Sequence, residues 1–108
     1  MRKAIVYYAG SPAGRLEETP DGYAFSYYPA YLVSPGSRSI SATLPKRTEP
    51  HASRTLFPFF HGLLAEGVLK ETQCRKLKLD ENDHFGRLIK TAHCDTIGAV
   101  TVVEEPET

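Results

Sequence analysis

The chain has 108 residues, 41% hydrophobic and 24% charged, which is enough for one domain with one modest core. Its 13 basic and 13 acidic residues give a formal net charge of zero, which argues against direct nucleic-acid binding, because such domains usually carry a basic excess. No stretch approaches the roughly 20 apolar residues of a membrane span, and the short apolar run near the start does not fit a secretory signal. We therefore expect a single domain over residues 1–108, located in a bacterial-type cytoplasm.

The first part of the chain predicts an antiparallel meander. Residues 2–10 (RKAIVYYAG) are rich in β-branched and aromatic side chains and predict a first strand. The cluster GSPAG at 10–14 predicts a turn, and it lacks the Lys-Ser/Thr pair of a phosphate-binding loop. Strands are expected at 15–19 and at 23–28, which alternates with a period of two, and Pro-Asp-Gly at 20–22 joins them by a tight turn.

The next stretch is predicted to be mostly irregular. Residues 29–50 contain a Pro-Gly turn and fit one short helical turn. Within them, SISATLP at 39–45 alternates and predicts a fourth strand that Pro45 ends. The polar stretch KRTEPHAS at 46–53 is expected to be a loop.

Three helices and a last strand are predicted for the remainder. TLFPFFHGLLAEG at 55–67 fits a helix with Thr55 as N-cap, Pro58 in the first turn and Gly67 as C-cap. Residues 68–79 fit a second helix, and residues 80–94 fit a third, with apolar side chains at i, i+3, i+4 and i+7: Phe85, Leu88, Ile89 and Ala92. The last strand is expected from Ile97 to Val103. This order predicts an α+β fold, a small antiparallel sheet or barrel of about five strands capped by helices.

Catalytic and metal-binding signatures are weak. The histidines have no metal-ligand spacing to each other or to cysteine, so a structural role is favoured for all four: His51, His61, His84 and His93. Cys74 and Cys94 are expected to be free buried thiols. The carboxylates of LDENDH (79–84) fit a solvated helix cap better than acid–base chemistry, and a small hydrolase has no other support. We expect no enzymatic activity, no metal and no cofactor.

A basic group leaves three interpretations open. The group consists of Lys70, Arg75, Lys76 and Lys78. These side chains could contact phosphates, or they could form a solvated helix face, which the interruption by Glu71 favours. They could also form the polar rim of a protein interface.

The segment 55–67 is the most apolar of the chain. On a helix, its large apolar side chains cover an arc of roughly 160°, whereas a core-facing stripe needs about 100°. Either neighbouring helices cover both edges of this arc, or one edge faces outward toward a partner.

Several of these stretches resemble the N-terminal subdomain of HipA-type serine/threonine kinase toxins. The likeness runs in order along nearly the whole chain, at GRLEETPDGYAFSYYPAYL (14–32), SISATLP (39–45), LFPFFHGLLAEG (56–67) and DTIGAVTVV (95–103). The resemblance implies a short antiparallel, barrel-like sheet capped by helices. In length the chain is similar to the HipS antitoxins of tripartite HipB–HipS–HipT systems, in which HipS supplies this subdomain to a kinase that lacks it.

The resemblance implies an antitoxin that binds and neutralises a HipT/HipA-like serine/threonine kinase toxin, with a HipB-like DNA-binding protein as a possible third component. The expected partner-binding residues lie on the apolar segment and just beyond it: Phe57, Phe60, His61, Leu64, Ala65, Glu66, Gly67, Val68 and Lys70. On this hypothesis, Leu64→Asp leaves the domain folded and weakens binding by more than about 2 kcal/mol. The alternative is an isolated scaffold fragment of a HipA kinase that mediates dimer or HipB contacts without inhibiting.

Two positions depart from the family's pattern. Ala65-Glu66-Gly67-Val68 stands where the family has Pro-Glu-Gly-Trp, and this chain contains no Trp, so a bulky interface anchor is missing there. His61 stands where the family has an Asp, which shifts a charge, so on the resemblance we expect a contact that depends weakly on pH.

Overall fold

The computed structural model describes residues 2–64, 75, 78, 80, 82–91 and 100–105. Within these residues, five strands form one antiparallel sheet in the order β4-β3-β2-β1-β5, and three short helices have described bounds. In chain order the elements are β1 (Lys3–Tyr8), β2 (Ser11–Thr19), β3 (Gly22–Tyr27), α1 (Pro29–Leu32), β4 (His51–Ser53), α2 (Pro58–His61), α3 (His84–Thr91) and β5 (Val100–Glu105). The predicted α+β class and antiparallel sheet are confirmed.

The meander forms as predicted, with a tighter first turn. Ala9 and Gly10 both have positive φ, 50° and 84°, between the paired residues Tyr8 and Ser11. A two-residue turn with both φ values positive matches the twist of the strands it joins. The predicted turn over 10–14 was therefore too long, because β2 already begins at Ser11.

The fourth strand was predicted in the wrong place. Residues 39–45 contain only an isolated bridge between Ser41 and Leu44, whereas β4 lies in the stretch that was expected to be a loop. Ile40 and Leu44 are buried because the Tyr27 hydroxyl accepts the Ile40 N–H at 3.0 Å and donates to the Leu44 carbonyl. Their alternation thus reflects burial against the sheet and not strand pairing.

β4 depends on tertiary contacts that its three-residue sequence does not reveal. It pairs with β3 from Tyr23 to Phe25, and the buried His51 ring stacks on Phe25 at 6.4 Å. His51 also donates its Nε2–H to the Pro45 carbonyl at 2.9 Å. Packing and hydrogen bonding therefore hold a segment with little intrinsic strand propensity.

The core lies on one side of the sheet, where the helices and the long 33–50 connection cover it. Its largest fully buried side chains come from four strands and two helices: Phe25, Phe60, Phe85, Leu16, Leu88, Val6 and Val102. β5 pairs with β1 in register from Lys3–Glu105 to Tyr8–Val100. In the described residues the sheet is open, with β4 and β5 at its edges.

Some expectations fall outside the described residues. These are the helix predicted at 68–79, apart from isolated positions, and both cysteines, Cys74 and Cys94. In the part of the chain that the structure describes, no helix is long and apolar enough to cross a membrane.

Candidate partner-binding surface

The apolar segment enters α2 through extended backbone. Phe57 has φ −53° and ψ 138°, and Pro58 is the first helical residue. A residue that precedes proline is sterically disfavoured in the helical region, so the helix begins only at Pro58, where the missing N–H costs nothing. The predicted N-cap role of Thr55 is therefore wrong. Gly62 donates its N–H to the Pro58 carbonyl at 2.9 Å, which closes a single turn.

Most of the large apolar side chains of this segment are covered by the domain itself, and Phe59 and Leu63 are half-buried. Phe60 is fully buried, and Phe57 and Leu64 are only 7% and 8% exposed. The Phe60 ring lies 5.7 Å from Phe25 of the sheet and 6.1 Å from Phe57. Because the helix is one turn long, the residues on both sides of it, Leu56 and Leu64, also fold inward.

For Phe57, Phe60 and Leu64, this burial favours the first of the two interpretations, in which the domain itself covers the apolar arc. Phe57, Phe60 and Leu64 contribute their area to the core, at about 1.5–3 kcal/mol for each large side chain. Residues 56–64 therefore present no large exposed hydrophobic side chain. The partner-binding roles of these three side chains stay predictions. Their packing shows that they support the neighbouring surface from within the core.

The exposed side of α2 is polar and small. Thr55, Pro58, His61 and Gly62 are exposed, at a spacing that places them on the side away from Phe60. The His61 ring lies 5.1 Å from the His84 ring, centroid to centroid, at an interplanar angle of 64°. Both rings line a depression of about 460 Å³ with Thr55, Leu56 and Pro58. We call this region the His61 surface.

An ion network fixes the start of α3 beside α2. Arg2 donates two hydrogen bonds to Asp83, at 2.7 and 2.9 Å, and its Nε donates to Glu18 at 2.7 Å. Asp83 Oδ1 also accepts the Gly86 N–H at 3.1 Å, so Asp83 caps the helix, as predicted for this acidic stretch. The Arg2 guanidinium lies 5.3 Å from the Phe85 ring centroid. The network therefore joins β1, β2 and α3 and positions His84 opposite His61.

The same contacts shift the pKa values of Arg2, Glu18 and Asp83. The hydrogen bonds from Arg2 lower the pKa of Asp83 and of Glu18 below their usual ranges, although partial burial opposes both shifts. The two carboxylates, Asp83 first, raise the pKa of Arg2. All three groups are thus held in their charged forms at neutral pH.

Several predicted site residues cannot be placed. Ala65, Glu66, Gly67, Val68 and Lys70 lie outside the described residues. From the basic group, Arg75 and Lys78 are described, and both are exposed. Of the predicted partner-binding residues, the structure thus gathers Phe57, Phe60 and Leu64 in the core and leaves His61 at the surface.

Sequence reasoning missed the contribution of the helix α3. His84 was assigned a structural role, and Arg2 was not singled out, yet the contacts His61–His84 and Arg2–Asp83 join residues 23 and 81 positions apart. Only Asp83 carried a usable signal, as a helix-cap candidate. In the described part of the chain, no group of three or more potential metal ligands forms.

Comparison with known proteins assigns this architecture to a family. The profile of the HipA N-terminal domain family matches residues 4–103. A solved structure titled as the N-terminal domain of HipA toxin superposes with a TM-score of 0.75 and 30% identity, covering 100% of this chain and 96% of that chain.

Two sequence relatives differ in how much of their length is matched. An uncharacterised protein of Haemophilus influenzae is 35% identical over 107 residues, which span 99% of this chain and 96% of the relative. Y4mE of Sinorhizobium fredii, whose name marks it as a candidate kinase, is 30% identical over 108 residues, but these span only 26% of that protein.

Proposed function

Because the chain belongs to the HipA N-terminal domain family, we propose that it is an antitoxin: it binds a HipT- or HipA-like serine/threonine kinase toxin in the cytoplasm and neutralises it. It acts by protein–protein contact and not by catalysis. The family relationship supports a role in a toxin–antitoxin system. The inhibition of a kinase by this chain is our proposal and goes further than that relationship.

The observation behind the proposal is the contrast between the two relatives. The same domain makes up 96% of the Haemophilus influenzae protein and about a quarter of the kinase-named Y4mE. A domain that packs on a kinase within one chain has a surface complementary to that kinase. The same surface supports binding when the domain is a separate chain.

The His61 surface is our candidate for this contact. It is exposed and concave, and Phe60 beneath it and the Asp83 cap beside it hold its backbone in place. In the sequence, the remaining predicted contacts, Ala65 to Val68 and Lys70, follow this segment directly. Rigid support of this kind reduces the entropy lost on binding. His61 is thus the described residue that we expect to touch the kinase.

Co-expression with a HipT-like kinase tests the proposal. The wild-type chain should restore growth and co-purify with the kinase. His61→Glu should weaken binding at least tenfold while leaving the circular dichroism spectrum and unfolding midpoint unchanged, because the side chain is exposed. Glu104→Gln, at an exposed position on the edge strand β5, is the matched surface control and should bind normally. Absence of both growth rescue and complex formation would refute the antitoxin assignment.

The alternative, a scaffold fragment that mediates dimer or HipB contacts, is favoured by the match to part of the longer Y4mE. A kinase assay with purified components separates the two. An antitoxin lowers kinase activity in proportion to complex formed, whereas a scaffold binds and leaves the activity unchanged. Adding a HipB-like protein and measuring the complex by size-exclusion chromatography shows whether a third component joins.

A further inference from the structure

A second depression lies at the end of the sheet where the β1–β2 turn meets the stretch that follows α1. It has a volume of about 430 Å³, within the roughly 300–1,000 Å³ of ligand pockets in proteins. Tyr8 and Ser11 line it, whereas Arg2 and Asp83, beside the His61 surface, lie at the other end of β1. The two surfaces are therefore separate. We call the second one the Arg38 depression, after the cation in its wall.

The Arg38 depression carries positive charge that no described carboxylate neutralises. None of the nine described residues that line it is Asp or Glu. Arg2 and Arg15 form ion pairs with carboxylates, whereas Arg38 has no such partner among the described residues. The Lys46 ammonium supports the wall, where it donates to the Ser37 carbonyl at 3.0 Å and to the Ser37 hydroxyl. The local field therefore favours an anion.

Hydroxyl groups add hydrogen-bond donors to this charge. The side chains of Ser11, Ser34 and Ser37 line the depression together with Arg38. Because the Ser37 oxygen accepts a hydrogen bond from Lys46, its own hydrogen is left to be donated. A phosphate monoester offers three strong acceptor oxygens and a carboxylate only two. One guanidinium and three hydroxyls thus match phosphate better than a carboxylate.

The backbone that carries these donors is held in place by the domain itself. The Tyr31 hydroxyl donates to the Arg38 carbonyl. The Ser37 N–H donates to the Ser34 carbonyl at 3.2 Å and closes a tight turn, in which Gly36 has a φ of 76°. Fixing these groups in advance reduces the entropy that is lost when a ligand binds.

We propose that the Arg38 depression binds a phosphate monoester, presented as the phosphorylated Ser or Thr side chain of a protein. Val33, the residue before Ser34, is 80% exposed and offers apolar contact to residues that flank the phosphate. The net charge of zero argues against nucleic acid as the source of the phosphate. The choice of a protein source rests on the proposed function, since a serine/threonine kinase generates such groups.

An NMR titration of the ¹⁵N-labelled chain tests this site at constant pH and ionic strength. The peptide acetyl-Ala-phosphoSer-Ala-amide should cause saturable shifts in the amide signals of residues 34–38. The unphosphorylated peptide should cause none, and Arg38→Gln should weaken binding of the phosphopeptide at least roughly tenfold, since it removes the charged donor. Inorganic phosphate should bind more weakly than the phosphopeptide. Equal affinities for the two would overturn the assignment to a protein side chain.

Arg54→Gln is the matched control, because Arg54 is also exposed but lines a different depression, together with Asp21. Phosphopeptide affinity should be unchanged in this variant. The proposal is overturned if the wild type shows no saturable shifts, or if Arg38→Gln binds the phosphopeptide as well as the wild type does. Arg38 is exposed and its backbone carbonyl keeps the Tyr31 contact, so the variant retains the fold. No kinase is present in this titration, so its failure is distinct from a failure of growth rescue by the proposed antitoxin.

Discussion

Replacing Gly86 by Ala should have two opposing effects on the stability of the domain: a gain in helix propensity and a disturbance of the Arg2–Asp83 contact. Gly86 lies inside α3, where Ala is normally favoured over Gly by about 1 kcal/mol. Here a Cβ would lie 2.3 Å from Asp83 Oδ2, 2.8 Å from its Cγ and 3.0 Å from Arg2 Nη1. Since real Cβ contacts do not occur below 3.0 Å, the Asp83 carboxylate must move.

The magnitude follows from what Asp83 loses when it moves. Its hydrogen bond to the Gly86 N–H is a helix cap, worth about 1 kcal/mol. Its paired hydrogen bonds to Arg2 are partly exposed, with side-chain exposures of 36% and 35%, so we assign them only about 1 kcal/mol. Losing both outweighs the gain in propensity, and Gly86→Ala should destabilise the domain by about 1 kcal/mol.

A double-mutant cycle with Asp83→Ala isolates this effect. Without the carboxylate the clash disappears, so Gly86→Ala in that background should stabilise by about 1 kcal/mol, which gives a coupling of about 2 kcal/mol. Urea unfolding monitored by circular dichroism measures all four proteins. If Gly86→Ala stabilises both backgrounds equally, Asp83 does not occupy the observed position and the described network is wrong.

Three further predictions concern the core and the ion network. Leu64→Asp should destabilise the fold by about 3 kcal/mol or more, because it buries a charge. Leu64→Met should cost less than about 1.5 kcal/mol. Equal urea unfolding midpoints for the two variants would contradict the burial of Leu64. Tyr27→Phe should cost about 1–3 kcal/mol in urea unfolding, since a buried N–H and a carbonyl lose their partner, and a change below experimental error would show that the hydroxyl does not anchor the 33–50 connection. Because the pKa values of Glu18 and Asp83 are lowered in the folded state, their contribution to stability is complete above about pH 5 and is lost as the pH falls through the folded-state pKa values. The urea midpoint should therefore fall less steeply from pH 5 to pH 2.5 in Arg2→Met than in the wild type, and parallel curves would contradict the pairing.

The strands that rest on local sequence patterns were predicted, and the strand that rests on tertiary contacts was not. The first three strands are local: period-two alternation and tight turns with Gly at 10 and 22 were visible in sequence, and the structure has them. β4 was missed because its pairing with Tyr23 to Phe25 depends on the finished edge of β3. Conversely, the alternation around Ile40 was read as a strand, although it arises from burial under the Tyr27 hydroxyl.

The features of the candidate site also separate into those that the sequence predicts and those that depend on tertiary packing. The sequence by itself determined that 55–67 is the most apolar segment, that Pro58 belongs to a first helical turn, and that an acidic cap precedes a third helix. Residue types and short-range steric rules act within a few positions, so these features are readable without a fold. Only the tertiary structure decided that Phe57, Phe60 and Leu64 point into the core and that His61 stays at the surface. It also brought His84 to His61 and Arg2 to Asp83, since side chains so far apart in the chain meet only when the sheet and helices pack.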